Sequence, residues 1–192
     1  MKKRNMAIMG FRFFLIALCV VLPSDLNAQS GRPFVPKGFQ VPERLETEQF
    51  RLRMLTVNDV VKDYDAVMTS VEHLRGVFGL GSTWPKPELT LEQDLIDLGW
   101  HQKEFQKRRS FAYTVMNPSE SQCLGCVYIV PTRKGGYDAE VYLWVRKSEF
   151  KNGLDAVLFD AVKGWVEKVW PFENVAYPGR AIDWKAWEEV PE

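Results

Sequence analysis

Histidine and cysteine are scarce in this chain: two of the first and three of the second stand among 192 residues. His73 and His101 fall on different predicted elements, and nothing else shows metal-ligand spacing, so no metal is expected. No Gly-x-Ser-x-Gly elbow is present, which leaves a nucleophilic hydrolase without its usual signature. Charge of either sign is not in excess, the formal net charge being 0. No strong basic field is therefore available to hold nucleic acid or anionic lipid. No internal repeat is visible. Long apolar runs are also missing. The longest, Phe13 to Leu22, is ten residues, well short of the ~20 needed to span a bilayer.

That run does have a context. Lys2, Lys3, Arg4 and Arg12 precede or open it, Pro23 ends it, and Leu26-Asn27-Ala28 offers a small residue for cleavage. Residues 1–28 read as a secretory signal peptide cleaved after Ala28, with an uncleaved anchor as the alternative. Export to the periplasm or the extracellular space follows as an expectation, with no stable membrane span after cleavage. Loss of the leader takes the formal charge from 0 to −3. Residues 29–47, with Gly31, Pro33, Pro36, Gly38 and Pro42, read as an extended linker or arm, which Phe34, Val35, Phe39 and Val41 could pin to a domain. Residues 48–192 make that domain. Seven tryptophans and 46% hydrophobic residues are ample for a core.

Within the domain, hydrophobic period separates strands from helices. A strand opens at Phe50. Thr56-Val57-Asn58-Asp59 caps a helix carrying Val60, Val61, Tyr64, Val67, Met68 and Val71. Glycines and prolines from Gly76 to Pro87 make a loop. Thr90 and Gln93 form a capping box for a second helix, with Leu91, Leu95, Ile96, Leu98 and Phe105 as its apolar positions, running to about Arg109. Three strands follow: Phe111–Met116, Cys123–Val130 and Glu140–Val145. An amphipathic helix comes next, striped by Leu154, Leu158, Val162, Trp165, Val166 and Val169, and Asn174–Tyr177 is a short last strand. Closely spaced strands predict an antiparallel meander, and the strand–helix–strand unit a parallel crossover. The expected product is an α/β (α+β) domain: a mixed, mainly antiparallel sheet with helices on both faces.

Several residues are candidates for chemistry. Cys123 and Cys126, three apart on a regular strand, should point to opposite faces, against a disulfide between them. Glu140 shares a strand face with Tyr142 and Trp144, where aromatic neighbours suit a general base; its plainer reading is a solvent-facing residue near a turn. His101 reads as a packing residue or polar cap, and His73 as a helix-end cation.

The element order over residues 49–178 resembles the GNAT superfamily of acyl-CoA-dependent N-acyltransferases. So does the texture of Phe50-Arg51-Leu52-Arg53, Cys123-Leu124-Gly125-Cys126-Val127-Tyr128-Ile129 and Val141-Tyr142-Leu143-Trp144-Val145. The resemblance implies a slot where the fourth and fifth family strands splay apart. There the backbone at Trp144 and Val145 would pair with the pantetheine of acetyl-CoA or another acyl-CoA. It implies a phosphate loop over Arg146, Lys147, Lys151, Asn152 and Gly153, where amides and a helix dipole hold the pyrophosphate. Only Gly153 matches a family glycine; Phe150 replaces the leading Arg/Gln and Asp155 the closing small residue. The resemblance further implies Glu140 as the base, and a small-molecule amine or a peptide as acceptor. About 14 residues follow Pro178, so the family's final helix and strand are expected to be reduced, a C-terminally shortened version of the fold. Three readings remain open: an N-acyltransferase, an exported non-catalytic module that binds a ligand or protein in the slot, and an envelope interaction protein.

Overall fold

The computed structural model describes residues 33–192. The leader expected over 1–28 and the start of the arm lie outside them. Six strands form one sheet in simple chain order: β1 (Arg44–Glu46), β2 (Arg51–Met54), β3 (Phe111–Met116), β4 (Cys123–Val130), β5 (Ala139–Val145) and β6 (Val175–Ala176). The first five pair antiparallel, and β6 joins β5 parallel. β3 is buried along its whole length and β4 all but its last residue, because helices cover both faces. Among the described residues no helix is long and apolar enough to cross a membrane.

On one face, α5 (Leu154–Val169) lays Leu154, Leu158, Val162, Trp165 and Val166 onto Val127, Ile129, Val141 and Leu143. The segment read as an arm belongs to this core. Val35 is buried, Phe34 stacks on Phe111 and Phe172, Phe39 tilts onto Trp170, and β1 itself lies within that segment. Arg108 donates to the carbonyls of Pro36 and Phe39, fixing the path of the chain there.

The opposite face carries α1 (Val60–Met68), α2 (Val71–Leu74) and α3 (Leu91–Gln106) over Ala112, Cys126, Tyr128 and Trp144. The capping box of α3 forms as expected, with Gln93 N–H donating to Thr90 Oγ1 at 3.2 Å and Thr90 N–H to Gln93 Oε1 at 3.0 Å. The helix expected from Val60 through Val71 is broken instead at Thr69-Ser70. There Thr69 Oγ1 bonds back to Asp65 O at 2.6 Å, a local alternative to continued helix. The apolar stripe expected on α3 is also corrected. Leu98 is buried, but Leu91, Leu95 and Ile96 are exposed, because α3 turns Asp94 and Glu104 inward. Before α1, the carboxylate of Asp59 accepts from both terminal nitrogens of Arg53 (2.7 and 2.9 Å) and from Thr56 N–H (3.0 Å). Burial alone would raise the Asp59 carboxyl, but these hydrogen bonds and the Arg53 charge outweigh it and hold it lowered.

One irregularity in the sheet overturns an expectation. Val115 pairs with Gly125 but Met116 pairs with Cys123, so Leu124 is an extra residue. A bulge of this kind reverses the alternation of side chains. Leu124 joins the α5 face, and Cys123 and Cys126, expected on opposite faces, share the α1–α3 face as free, buried thiols. Gly125 makes the bulge possible, since a Cβ there would lie 1.9 Å from Trp144 O. Gly125→Ala is expected to cost at least about 3 kcal/mol or to prevent folding, read as a loss of midpoint in urea unfolding.

Candidate functional site

β5 and β6 are hydrogen-bonded neighbours at only two positions, Ala139↔Val175 and Glu140↔Ala176. β6 then ends, and the chain coils into a tight turn in which the N–H groups of Arg180, Ala181 and Ile182 all point at Tyr177 O. From Val141 to Val145, β5 continues with no strand partner on that side among the described residues. The strands part as expected for the slot, and a cavity of about 290 Å³ opens at the far end. Trp144 and Val145 line it from β5, His73 and Arg75 from α2 and its end, Phe150 from below, and Arg180 and Trp184 from the C-terminal segment.

The exposed edge of β5 is not left to solvent. Arg180 Nη2 donates to Leu143 O at 3.1 Å, and His73 Nε2 lies 3.2 Å from Val145 O. His73 is held there by the ring of Phe150, centroids 4.6 Å apart. Arg180 is gripped in turn by Asp155, each terminal guanidinium nitrogen 2.8 Å from a carboxylate oxygen. Asp155 stands in the first turn of α5, where the helix dipole favours negative charge. A carboxylate of the protein thus occupies the helix end at which the expected loop would seat a phosphate.

That loop is rebuilt. Residues expected as a phosphate cradle form a short helix, α4 (Lys147–Lys151), whose first amide is taken by Ser70 Oγ at 3.0 Å. Gly153 follows with φ 83°, a left-handed conformation that suits glycine, and is the N-cap of α5 with no side chain capping it. Asn152 ends α4, and Lys147 and Lys151 are exposed. Arg146 is buried and turned toward α1, where it pairs with Asp65 at 3.0 Å and donates to Thr69 Oγ1 and Cys123 O. Of the residues expected at the cofactor, Trp144 and Val145 line the cavity; the other five serve the sheet-to-helix connection.

Glu140 sits where β5 and β6 still pair, at the apex of the gap. Its carboxylate accepts a short hydrogen bond from the Tyr142 hydroxyl. Burial, then the adjacent Glu140, raises that hydroxyl's pKa above the ordinary phenol range. Tyr142 stacks on Trp184 with the ring planes 11° apart, which links Glu140 to the cavity wall. Sequence reasoning missed Arg180, Trp184 and the cavity role of His73. His73 stands on the four-residue helix α2, Arg180 in the turn after β6 and Trp184 at the start of the short helix Trp184–Glu189, so no long periodic stripe marks any of them.

On the same sheet face lies an aromatic cluster. Phe78 and Trp84, from the loop between α2 and α3, cover Tyr128, Tyr142 and Trp144. His101 leans on Tyr128, the packing role expected of it, and burial pulls its pKa down to about 4.

No family model matches the sequence, and no curated protein matches it. Solved structures do match the fold. A ribosomal-protein-S5-alanine acetyltransferase from Vibrio fischeri superposes with TM-score 0.53 at 16% identity, covering 65% of this chain and 67% of that one. A proposed GNAT-family acetyltransferase from Bordetella pertussis gives 0.53 at 14%, covering 71% and 78%. The ribosomal L7/L12 α-N-protein acetyltransferase RimL, solved with coenzyme A, gives 0.52 at 13%, covering 65% and 67%. The chain has the GNAT fold.

The neutral His101 sets a pH dependence. The unfolded chain takes up a proton near pH 6.5, whereas the folded imidazole resists until about 4. Unfolded chains bind more protons in that window, so this contribution falls as pH drops from 6.5 to 4. Burial pushes Asp63 up to about 6 and Asp94 up to about 7, which acts in the opposite sense. His101→Phe isolates the histidine. Its stability relative to the wild type is expected to improve as pH falls from 6.5 to 4, measured by urea unfolding at a series of pH values.

Proposed function

We propose that this protein is a GNAT-type N-acyltransferase that takes an acyl-CoA thioester in the β5–β6 gap and passes the acyl group to an amine. The observation that carries this reading is the parting of the strands after Glu140↔Ala176, which leaves the β5 edge at the cavity without a strand partner among the described residues. An extended pantetheine arm has amide groups that suit such an edge, as an added strand would. Its thioester would lie toward the apex. There the Glu140 carboxylate can accept a proton from the incoming ammonium, and Tyr142 orients that carboxylate. The free amine attacks the thioester carbonyl carbon, the carbon–sulfur bond breaks, and the thiolate leaves and takes a proton. The matched V. fischeri and RimL enzymes act on ribosomal proteins, and a protein or peptide amine is a fitting acceptor here beside a small amine.

Binding by this route requires Arg180 to release Leu143 O. It also relies little on the pyrophosphate, because α4 stands in place of the loop and Asp155 holds the α5 end. The same two features favour a second reading: a module that keeps the gap for another ligand and performs no transfer. Export after removal of residues 1–28 would suit that module, since acyl-CoA is supplied in the cytosol.

Acetyl-CoA at 100 times its dissociation constant is expected to stabilise the protein by roughly 2.7 kcal/mol in thermal unfolding. Free thiol should be released when a peptide amine or polyamine is added. Absence of both effects would exclude acetyl-CoA as donor, and stabilisation without thiol release would favour the module. Glu140→Gln should lower turnover by ~10²-fold while leaving the affinity for acetyl-CoA nearly unchanged. Arg180→Ala should tighten binding of acetyl-pantetheine, which carries no phosphate for the unpaired Asp155 to repel, as read by calorimetric titration.

A further inference from the structure

The Cys-x-x-Cys pair of β4 takes no part in the proposed transfer, yet the fold goes to some length to aim it. The bulge at Leu124 turns both thiols onto one face, and α1 brings Asp63 down onto them. Asp63 Oδ1 lies 3.1 Å from Cys126 Sγ and 3.9 Å from Cys123 Sγ. The three ligand atoms all fall within 4.8 Å of one another, and all three residues are buried. Sequence spacing could not reveal the group, because Asp63 stands 60 residues before Cys123.

Among the described residues, the hydrogen bonds to the Asp63 carboxyl come from these two thiols. Thiols are weak donors, so they compensate poorly for burying a carboxyl group. Two thiolates and a carboxylate around a cation solve the same problem better. In a tetrahedral zinc site, bond lengths of ~2.3 Å to sulfur and ~2.0–2.2 Å to oxygen put ligand atoms about 3.5–3.8 Å apart, which the observed 3.1 and 3.9 Å bracket. We propose that Asp63, Cys123 and Cys126 bind a single Zn²⁺ ion that ties α1 to the bulge of β4. The fourth position falls to the second Asp63 oxygen or to a water molecule. Such a set leaves one net negative charge; the buried guanidinium of Arg146 reaches Cys123 O at 3.4 Å but is itself paired with Asp65. The residues are enclosed, so the ion would enter as the chain folds, and its binding energy would count toward folding.

The test uses the whole chain, expressed with zinc and desalted, and a second sample refolded with Co²⁺. Elemental analysis should find about one zinc per chain, and the cobalt form should show a thiolate-to-metal charge-transfer band with tetrahedral visible bands. Cys126→Ser and Asp63→Asn should each reduce bound zinc to below about a tenth of an equivalent, with circular dichroism confirming that the variant is folded. The wild-type samples decide the matter even if the variants do not fold. Wild-type protein that carries no zinc after desalting and gives no cobalt band overturns the proposal. So does a disulfide between Cys123 and Cys126 in the denatured protein, or uptake of Cu⁺ alone.

Discussion

Between β5 and β6 the backbone ladder stops after two residue pairs, and the character of the site follows from the hydrogen bonds that are then missing. A strand edge inside a protein needs partners for its carbonyls. Here the protein supplies them from side chains: Arg180 to Leu143 O and His73 toward Val145 O. Side chains can move away, whereas a paired strand cannot be displaced without disrupting the sheet. The gap is therefore closed by side chains rather than by a strand. Arg180 is held in turn by Asp155, so one ion pair ties the start of α5 to the β5 edge.

Packing explains why the gap persists. β5 is secured on its other side by the full ladder to β4, from Gly125↔Val145 to Val130↔Glu140, and Trp144 is wholly buried beneath the aromatic cluster. Truncating a side chain such as Trp144 in a core of this kind costs about 3–5 kcal/mol, so β5 is not free to swing toward β6. On the other side, Pro178 and the turn around Tyr177 O end β6 early. Among the described residues, no strand then lies between the end of β5 and the turn around Tyr177 O.

The face that holds the candidate chemistry also holds an unusual layer of buried acids. Asp59 is compensated by Arg53, Asp63 touches thiols, and Asp94 leaves one oxygen without a partner among the described residues. These groups lie under α1 and α3, where apolar periodicity alone would place leucines. Instead Leu91, Leu95 and Ile96 face outward. Buried carboxyl groups thus take positions that apolar side chains would be expected to fill, next to the sheet face that carries Glu140 and Tyr142.

Residues 50–177 revealed most of the element order by themselves, because period and punctuation are local. Thr90 and Gln93 cap α3, alternation marks Val141, Leu143 and Val145, and the stripe from Leu154 to Val166 marks the buried face of α5. Glu140 and Tyr142 could be placed on one face for the same reason. Other features depended on residues distant in the chain. The bulge that aligns Cys123 with Cys126 exists because Gly125 lets Trp144 O approach. The helical turn from Lys147 to Lys151 is anchored by Ser70, and Arg180 reaches Leu143 from beyond the last strand. Local pattern determined which segments are strands and helices; the tertiary structure decided where a strand edge is left open and which side chains close it, because hydrogen bonds between distant segments follow geometry rather than spacing along the chain.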